Sequence, residues 1–375
     1  MAKTSFNMSP ARIKVIGLGG GGCNAVTRMV REQIHGVEFI GANTDAQALA
    51  ITEAPIRVQL GEKLTKGLGV GGDHILGQKA AEESRDELRE LLAAADMVFI
   101  TCGMGGGTGT GSAPVVAEIS KQAGALTIAV VTKPFTFEGV HRNEVANDGI
   151  VRLLGKVDTL IIIPNDRLLD LCDDKTEVDA AFKLADDVLR HGVQAIAEVI
   201  TLPGLVNLDF ADVRTVMKNA GPAWMSIGIG TGKNRAVDAA KEALASPLLD
   251  VSIEGAKGVL FNVAGGAGLT LFEVNEAAET IRQAVDPAAN IIFGVIQDPS
   301  LKEELRITLI ATGFASKLSL AGVSREDEFT QLLKELKSDE ELDVPAFLRR
   351  PLFSHRHQPI PEATKKLVQT PPGVL

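Results

Sequence analysis

Short apolar runs alternate with amphipathic stretches along the first half of the chain. IKVIG (13–17), VEFIGA (37–42), MVFIT (97–101), LTIAVVT (126–132) and TLIIIP (159–164) are β-branched and nearly unbroken, which predicts buried strands. Between them, 24–32, 82–95 and 115–122 read as helices. This alternation predicts an α/β fold with a Rossmann-like parallel sheet covered on both faces. A longer helical pattern runs from Asp179 to Thr201, with Ala180, Ala181, Leu184, Val188, Val193, Ile196 and Ile200 mostly at helical spacing, and Pro203-Gly204 ends it. WMSIGIG (224–230), GVLFNVAG (258–265), NIIFGVI (290–296) and LRITLIATG (305–313) follow as strands, with amphipathic helices at Arg235–Ala245 and Val274–Ala284. They predict a smaller C-terminal α/β domain.

From Lys317 the sequence turns polar and charged, although Phe329, Leu332, Leu333 and Leu336 keep the spacing of a short helix. VPAFLRR (344–350) is an apolar and basic island, and the Pro-rich remainder is expected to be disordered. The expected divisions are a leader at 1–11, a first α/β domain at 12–178, a central helix at 179–202, and a loop and helix at 203–220. The C-terminal α/β domain spans 221–316, a spacer 317–342, a short peptide 343–350 and an extension 351–375.

Composition narrows the function. Of 375 residues 45 % are hydrophobic, enough for a large core, and the formal charge of 38 − 48 = −10 argues against general binding of nucleic acid or anionic lipid. Aromatics are 4 %, with no Tyr and one Trp, so a base-stacking platform for nucleic acid is not expected. Cys23, Cys102 and Cys172 have neither disulfide-framework nor zinc spacing, and a reduced cytosol fits them. No apolar run approaches the roughly 18 residues of a membrane span, and the N-terminus lacks a signal core.

Two glycine-rich segments carry the candidate chemistry. GLGGGGCN (17–24) follows a strand and precedes a helix, where backbone N–H groups and the helix dipole favour phosphate. Gly17, Gly19 and Gly22 satisfy G-x-G-x-x-G, and Asp45 could complete a dinucleotide fingerprint, so this loop alone leaves NAD or FAD and another nucleotide equally open. GMGGGTGTGS (103–112) again joins a strand to a helix, with Pro114 near that helix's start. A dinucleotide domain needs one such turn; two on neighbouring strand ends can grip one polyphosphate. No G-x-x-x-x-G-K-[ST] is present, which excludes the P-loop class. In NLDFADV (207–213), Asp209 and Asp212 fit an N-terminal cap and equally a carboxylate pair orienting water or a hydrated cation. Asp186 and Asp187 read locally as a solvated helix face. His35, His74 and His191 lack metal spacing, and no protein metal site is expected.

Taken together, GGGGCNAV, NTDAQAL, TKGLG, ADMVFITCGMGGGTGTGSAPVVAE, AVVTKPFTFEG, IPNDRLL and NLDFADVRTVM resemble the FtsZ family, bacterial relatives of tubulin, over about residues 12–316. DVPAFLRR (343–350) resembles the family's C-terminal peptide. The resemblance implies a cytoplasmic GTPase that polymerises head to tail into the division ring at midcell. It implies that GTP or GDP is held at the phosphates by Gly20, Gly21, Gly22, Cys23 and Asn24 and by Gly103, Gly105, Gly106, Gly107, Thr108 and Gly109. Glu138 and Arg142 are then expected at the ribose and phosphate, and Asn165, Phe182 and Asp186 at guanine. Asp209 and Asp212, with Asn207 beside them, are expected to act on the nucleotide of the next subunit. Mg2+ is expected to bind through phosphates and water, and a membrane adaptor or assembly regulator to bind 343–350. Cys23 stands where the family usually has Gly, and its thiol is expected to be open to alkylation.

Overall fold

The computed structural model describes residues 11–169, 172, 177–201, 206, 209–246, 253, 256–266 and 268–314. Expectations for residues 1–10, for Asn207 and for 315–375 lie outside these. The first half runs β1 (Ile13–Leu18), α1 (Gly19–Arg31), β2 (Val37–Asn43), α2 (Ala46–Ala50), β3 (Ile56–Gln59), α3 (Glu62–Thr65), α4 (His74–Glu83), α5 (Arg85–Leu92) and β4 (Met97–Gly103). It continues through α6 (Thr108–Gln122), β5 (Leu126–Lys133), α7 (Val140–Leu154), β6 (Thr159–Pro164), α8 (Asp166–Leu169) and α9 (Val178–Thr201). The remainder is α10 (Phe210–Met217), β7 (Gly221–Gly230), α11 (Arg235–Leu244), β8 (Gly258–Gly265), α12 (Leu271–Ala284), β9 (Asn290–Gln297) and β10 (Leu305–Thr312).

The strands form a ten-stranded sheet in the order β3-β2-β1-β4-β5-β6-β7-β10-β8-β9. From β3 to β6 every ladder is parallel. β6 and β7 are joined by three residue pairs, Thr159 to Gly221, Leu160 to Pro222 and Ile161 to Ala223. β10 then lies antiparallel to both β7 and β8. The strands of 221–314 therefore extend one sheet, yet they bury a core of their own, in which Ala236, Ala240, Ala277 and Ile281 pack on Phe261, Val263 and Leu309. A further core packs Val188, Leu189, Val193 and Ile196 of α9 against Val130, Ile161, Met225 and Ile310.

α9 fixes the distance between the two ends of the sheet. Near its start, the Phe182 ring meets Phe135, just past the C-terminal end of β5, edge-on at 5.4 Å. At its end, the Thr201 hydroxyl donates to the His35 carbonyl at 3.1 Å, just before β2 begins. Its 24 residues, at a rise of about 1.5 Å each, span about 36 Å from the C-terminal to the N-terminal strand ends.

Three helix boundaries differ from the sequence pattern. α1 starts at Gly19 rather than Asn24, and α6 at Thr108 rather than Val115, which places Pro114 inside the helix. Glycine's poor helix propensity reads as loop, but close packing overrides it. A Cβ on Gly22 would sit 2.3 Å from the Thr101 carbonyl oxygen, and one on Gly111 would sit 2.1 Å from that of His74. The single helix expected over 82–95 breaks at Ser84, whose Oγ accepts from the Gly61 N–H at 3.1 Å.

Candidate functional site

The two glycine segments lie against each other. A Cβ on Gly19 would be 3.0 Å from the Gly109 nitrogen, and one on Gly21 would be 3.5 Å from the Gly103 nitrogen. Their glycines divide into two kinds. Gly22, Gly107 and Gly109 are packing positions, each with backbone within 3 Å of an added Cβ. Gly105 is also packed, at φ +93, with the Arg142 carbonyl oxygen 2.8 Å from that point. Gly20 and Gly106 face open space within 4 Å, and Gly20, Gly21 and Asn24 are exposed. Packing does not explain glycine at these open positions; close approach of a ligand to the backbone at two helix N-termini is a physical reason for it.

The surrounding hydroxyls set the loop shapes. Thr108 Oγ1 and Thr44 Oγ1 are 2.6 Å apart, and Thr110 Oγ1 accepts from the Gly105 N–H at 2.9 Å. Thr44 and the segment 66–73, which border the second glycine segment, are not among the site residues expected from the sequence. That segment turns through four left-handed residues, Lys66, Gly67, Gly69 and Gly71, and bridges to Asp45 through Leu68. Its glycine density, KGLGVGG, was the available signal. Asp45 itself caps α2, accepting from the Gln47 and Ala48 N–H groups at 2.8 and 3.0 Å. It thus works as a helix cap rather than as the ribose acid of a dinucleotide fold. Cys23 corrects another expectation. Its side chain is buried between the Gly17 and Ala42 carbonyls, and burial pushes the thiol up to about 11, so it is closed to alkylation.

A second group of side chains gathers at the ends of β5 and β6 and the start of α9. Glu138 accepts from the Phe135 N–H at 2.9 Å and pairs with Arg142, whose side chain is more than half exposed. The Phe137 ring stacks on Phe135 at 4.8 Å, and Phe182 is 40 % exposed. Asn165 is 5 % exposed, and its Oδ1 is buried with no hydrogen-bond partner. An orphaned buried acceptor costs about 1–3 kcal/mol, so it fits a ligand donor. Asp186 is mostly buried. Desolvation pushes its carboxyl up to about 6, with Arg28 opposing and Asp187 adding to the rise. Arg28, on α1, is a neighbour that the sequence reading missed.

Asp209 and Asp212 lie elsewhere. Asp209 occupies the N-cap position of α10, but its side chain makes no cap hydrogen bond; only its carbonyl accepts, from the Asp212 and Val213 N–H groups at 3.0 and 3.3 Å. Both residues are exposed. They follow the far end of α9 and precede β7, so they sit toward the N-terminal strand ends, opposite the glycine cradle.

A largely parallel sheet with two glycine-lined helix N-termini and an orphaned acceptor at its C-terminal strand ends defines a nucleotide-binding α/β protein. The Tubulin/FtsZ family GTPase domain matches residues 12–173, and the FtsZ family C-terminal domain matches 221–315. The chain belongs to the tubulin/FtsZ family and is an FtsZ-like GTPase that binds GTP and GDP. It is 48 % identical to an FtsZ from M. jannaschii solved as an empty dimer, with a TM-score of 0.80 over 82 % of this chain and 89 % of that one. A mutant of M. jannaschii FtsZ is also 48 % identical, with a TM-score of 0.79 over 81 % and 92 %. CetZ1 from Haloferax volcanii, a GDP-bound monomer, shares the fold at 22 % identity, with a TM-score of 0.72 over 87 % and 99 %.

Proposed function

We propose that this GTPase polymerises head to tail and hydrolyses GTP only at the junction between two copies. The observation that carries this reading is the separation of the parts. The cradle lies at one end of the sheet, Asp209 and Asp212 lie toward the other, and α9 spans about 36 Å between them. A carboxylate must come within about 3 Å of the attacking water, directly or through one more, to polarise it. Within one chain that distance cannot close; between stacked copies it can.

In this reading Gly20, Gly21, Gly22, Cys23 and Asn24 offer backbone and amide groups to the phosphates, as do Gly103, Gly105, Gly106, Gly107, Thr108 and Gly109. Arg142, positioned by Glu138, meets the ribose and phosphate region. Phe182 covers the base, Asp186 accepts from two N–H groups of guanine, and Asn165 supplies its unpartnered Oδ1. Mg2+ would be held by phosphate oxygens and water, neutralising charge at the β–γ bridge. Asp209 and Asp212 of the next copy, with Asn207, orient the water. Loss of the γ-phosphate weakens the junction and drives subunit exchange. A division-ring role in the cytoplasm at midcell, with 343–350 recruiting an adaptor or regulator, completes the proposal. Among the described residues no helix is long and apolar enough to cross a membrane.

Phosphate release per molecule, measured across protein concentrations that bracket the onset of light scattering, tests the shared site. The rate per molecule rises at the onset if the junction is the active site. A rate that does not depend on concentration rejects it.

A further inference from the structure

Asp186 does not stand alone. Arg28 reaches across from α1 to α9, with Nε 3.5 Å from Asp186 Oδ2 and Nη1 3.0 Å from Asp187 Oδ1. Arg190 shares Asp187, at 3.6 Å. The other charges nearby on these elements are engaged: Arg31 with Glu53 at 2.6 Å and Lys183 with Asp179 at 2.5 Å. On α8, Asp166 accepts from Thr136, and Arg167 also makes an interaction. His191, one turn on, is held neutral: burial and Arg190 push its pKa down to about 3. Two carboxylates thus share two guanidiniums, and Arg28 is the one that touches both acids. The Arg28 side chain is about one-quarter exposed and that of Asp186 18 %, so the pair is partly sheltered from bulk screening.

We infer that Arg28 is a positioning residue for base recognition: its guanidinium holds Asp186 in place as the anionic acceptor for a purine edge that presents two adjacent N–H donors. The inference rests on the proposed reading that Asp186 receives the base. Its chemistry is direct. A carboxylate accepts both donors of guanine only while ionised; a protonated acid presents a donor against a donor. Burial and Asp187 both favour the protonated acid, and Arg28 is the cation that opposes them. Without Arg28 the acid should protonate at higher pH, and affinity should fall where the wild type still binds.

The test is GDP affinity by calorimetry from pH 6 to 8.5 for the full chain and for Arg28→Gln, Arg28→Lys, Asp187→Asn and Asp186→Asn, with folding checked by circular dichroism. If the break in wild-type affinity lies near pH 6, a rise of about one unit in Arg28→Gln gives a deficit of about fivefold at pH 6, about twofold at pH 7 and none at pH 8.5. Arg28→Lys should restore most of the wild-type profile, and Asp187→Asn should move the break downward. A pH-independent deficit in Arg28→Gln, or none, overturns the role of Arg28. Should Arg28→Gln fail to fold, Arg28→Met, which keeps the stem and removes the charge, takes its place, and an unmoved break in it overturns the role equally. If Asp186→Asn binds GDP as tightly as wild type, the base is not read at Asp186, and the underlying reading fails instead.

Discussion

Replacing Asn165 by Ala separates stability from binding at a single atom. The Asn165 Oδ1 is buried without a partner, on a residue held by its own backbone: its N–H donates to the Lys133 carbonyl and its carbonyl accepts from the Leu168 N–H. The nucleotide-free protein therefore carries the desolvation cost of an unmade hydrogen bond, about 1–3 kcal/mol. Asn165→Ala removes that cost but leaves a small cavity, so the net change without nucleotide should lie within about 1 kcal/mol of zero. Binding should lose the hydrogen bond proposed between this atom and the base, about 1 kcal/mol, or roughly fivefold in Kd. Calorimetric titration with GDP, beside denaturant melts of nucleotide-free protein, reads both quantities. A variant that loses more than about 2 kcal/mol without nucleotide, yet binds GDP as wild type does, would show that Asn165 is a fold residue and refute the reasoning.

Gly22→Ala places a methyl 2.3 Å from a backbone oxygen and should unfold or severely weaken the protein, whereas Gly20→Ala meets open space, should melt at or above the wild-type temperature, and should weaken GDP binding. Melting curves with and without GDP check both. The Arg235–Glu273 pair, 2.6 Å and mostly buried, pins α11 to α12 and holds the Glu273 carboxyl down to about 2. Because the folded pKa lies below the unfolded value of 4.5, this pair's stabilisation, on the order of 2–3 kcal/mol, is present above pH 4.5 and lost as pH falls toward 2. Glu273→Gln should therefore be clearly destabilised at pH 7 and much less so at pH 2.5, as read by urea midpoints.

Strand positions were legible because the strands are apolar on both faces: TLIIIP and GVLFNVAG match β6 and β8 residue for residue. β3 and α7 were missed. IRVQ is too short and mixed to stand out, and VHRNEVANDGIVRLL carries Gly149 and polar residues that dilute its period; Gly149 is required where it packs on Thr110. The glycine segments were legible as candidate phosphate loops, but their division into packing and open positions was not, because that depends on contacts made by Thr101, Gly71 and Leu18 far along the chain. Cys23 read as a ligand-facing substitution because sequence gives no side-chain direction. Arg28 was invisible for the same reason: its partners lie 158 and 159 positions away.

The proposed active site takes its cradle from one copy and its acids from the next. Mixing Asp212→Asn with Arg142→Ala tests it, since one keeps an intact pocket and the other intact acids. Neither variant alone should hydrolyse GTP well. In a random equimolar head-to-tail filament, about one junction in four joins a good pocket to good acids, so the mixture should recover roughly a quarter of the wild-type rate. A mixture no faster than the average of its two components would contradict the account.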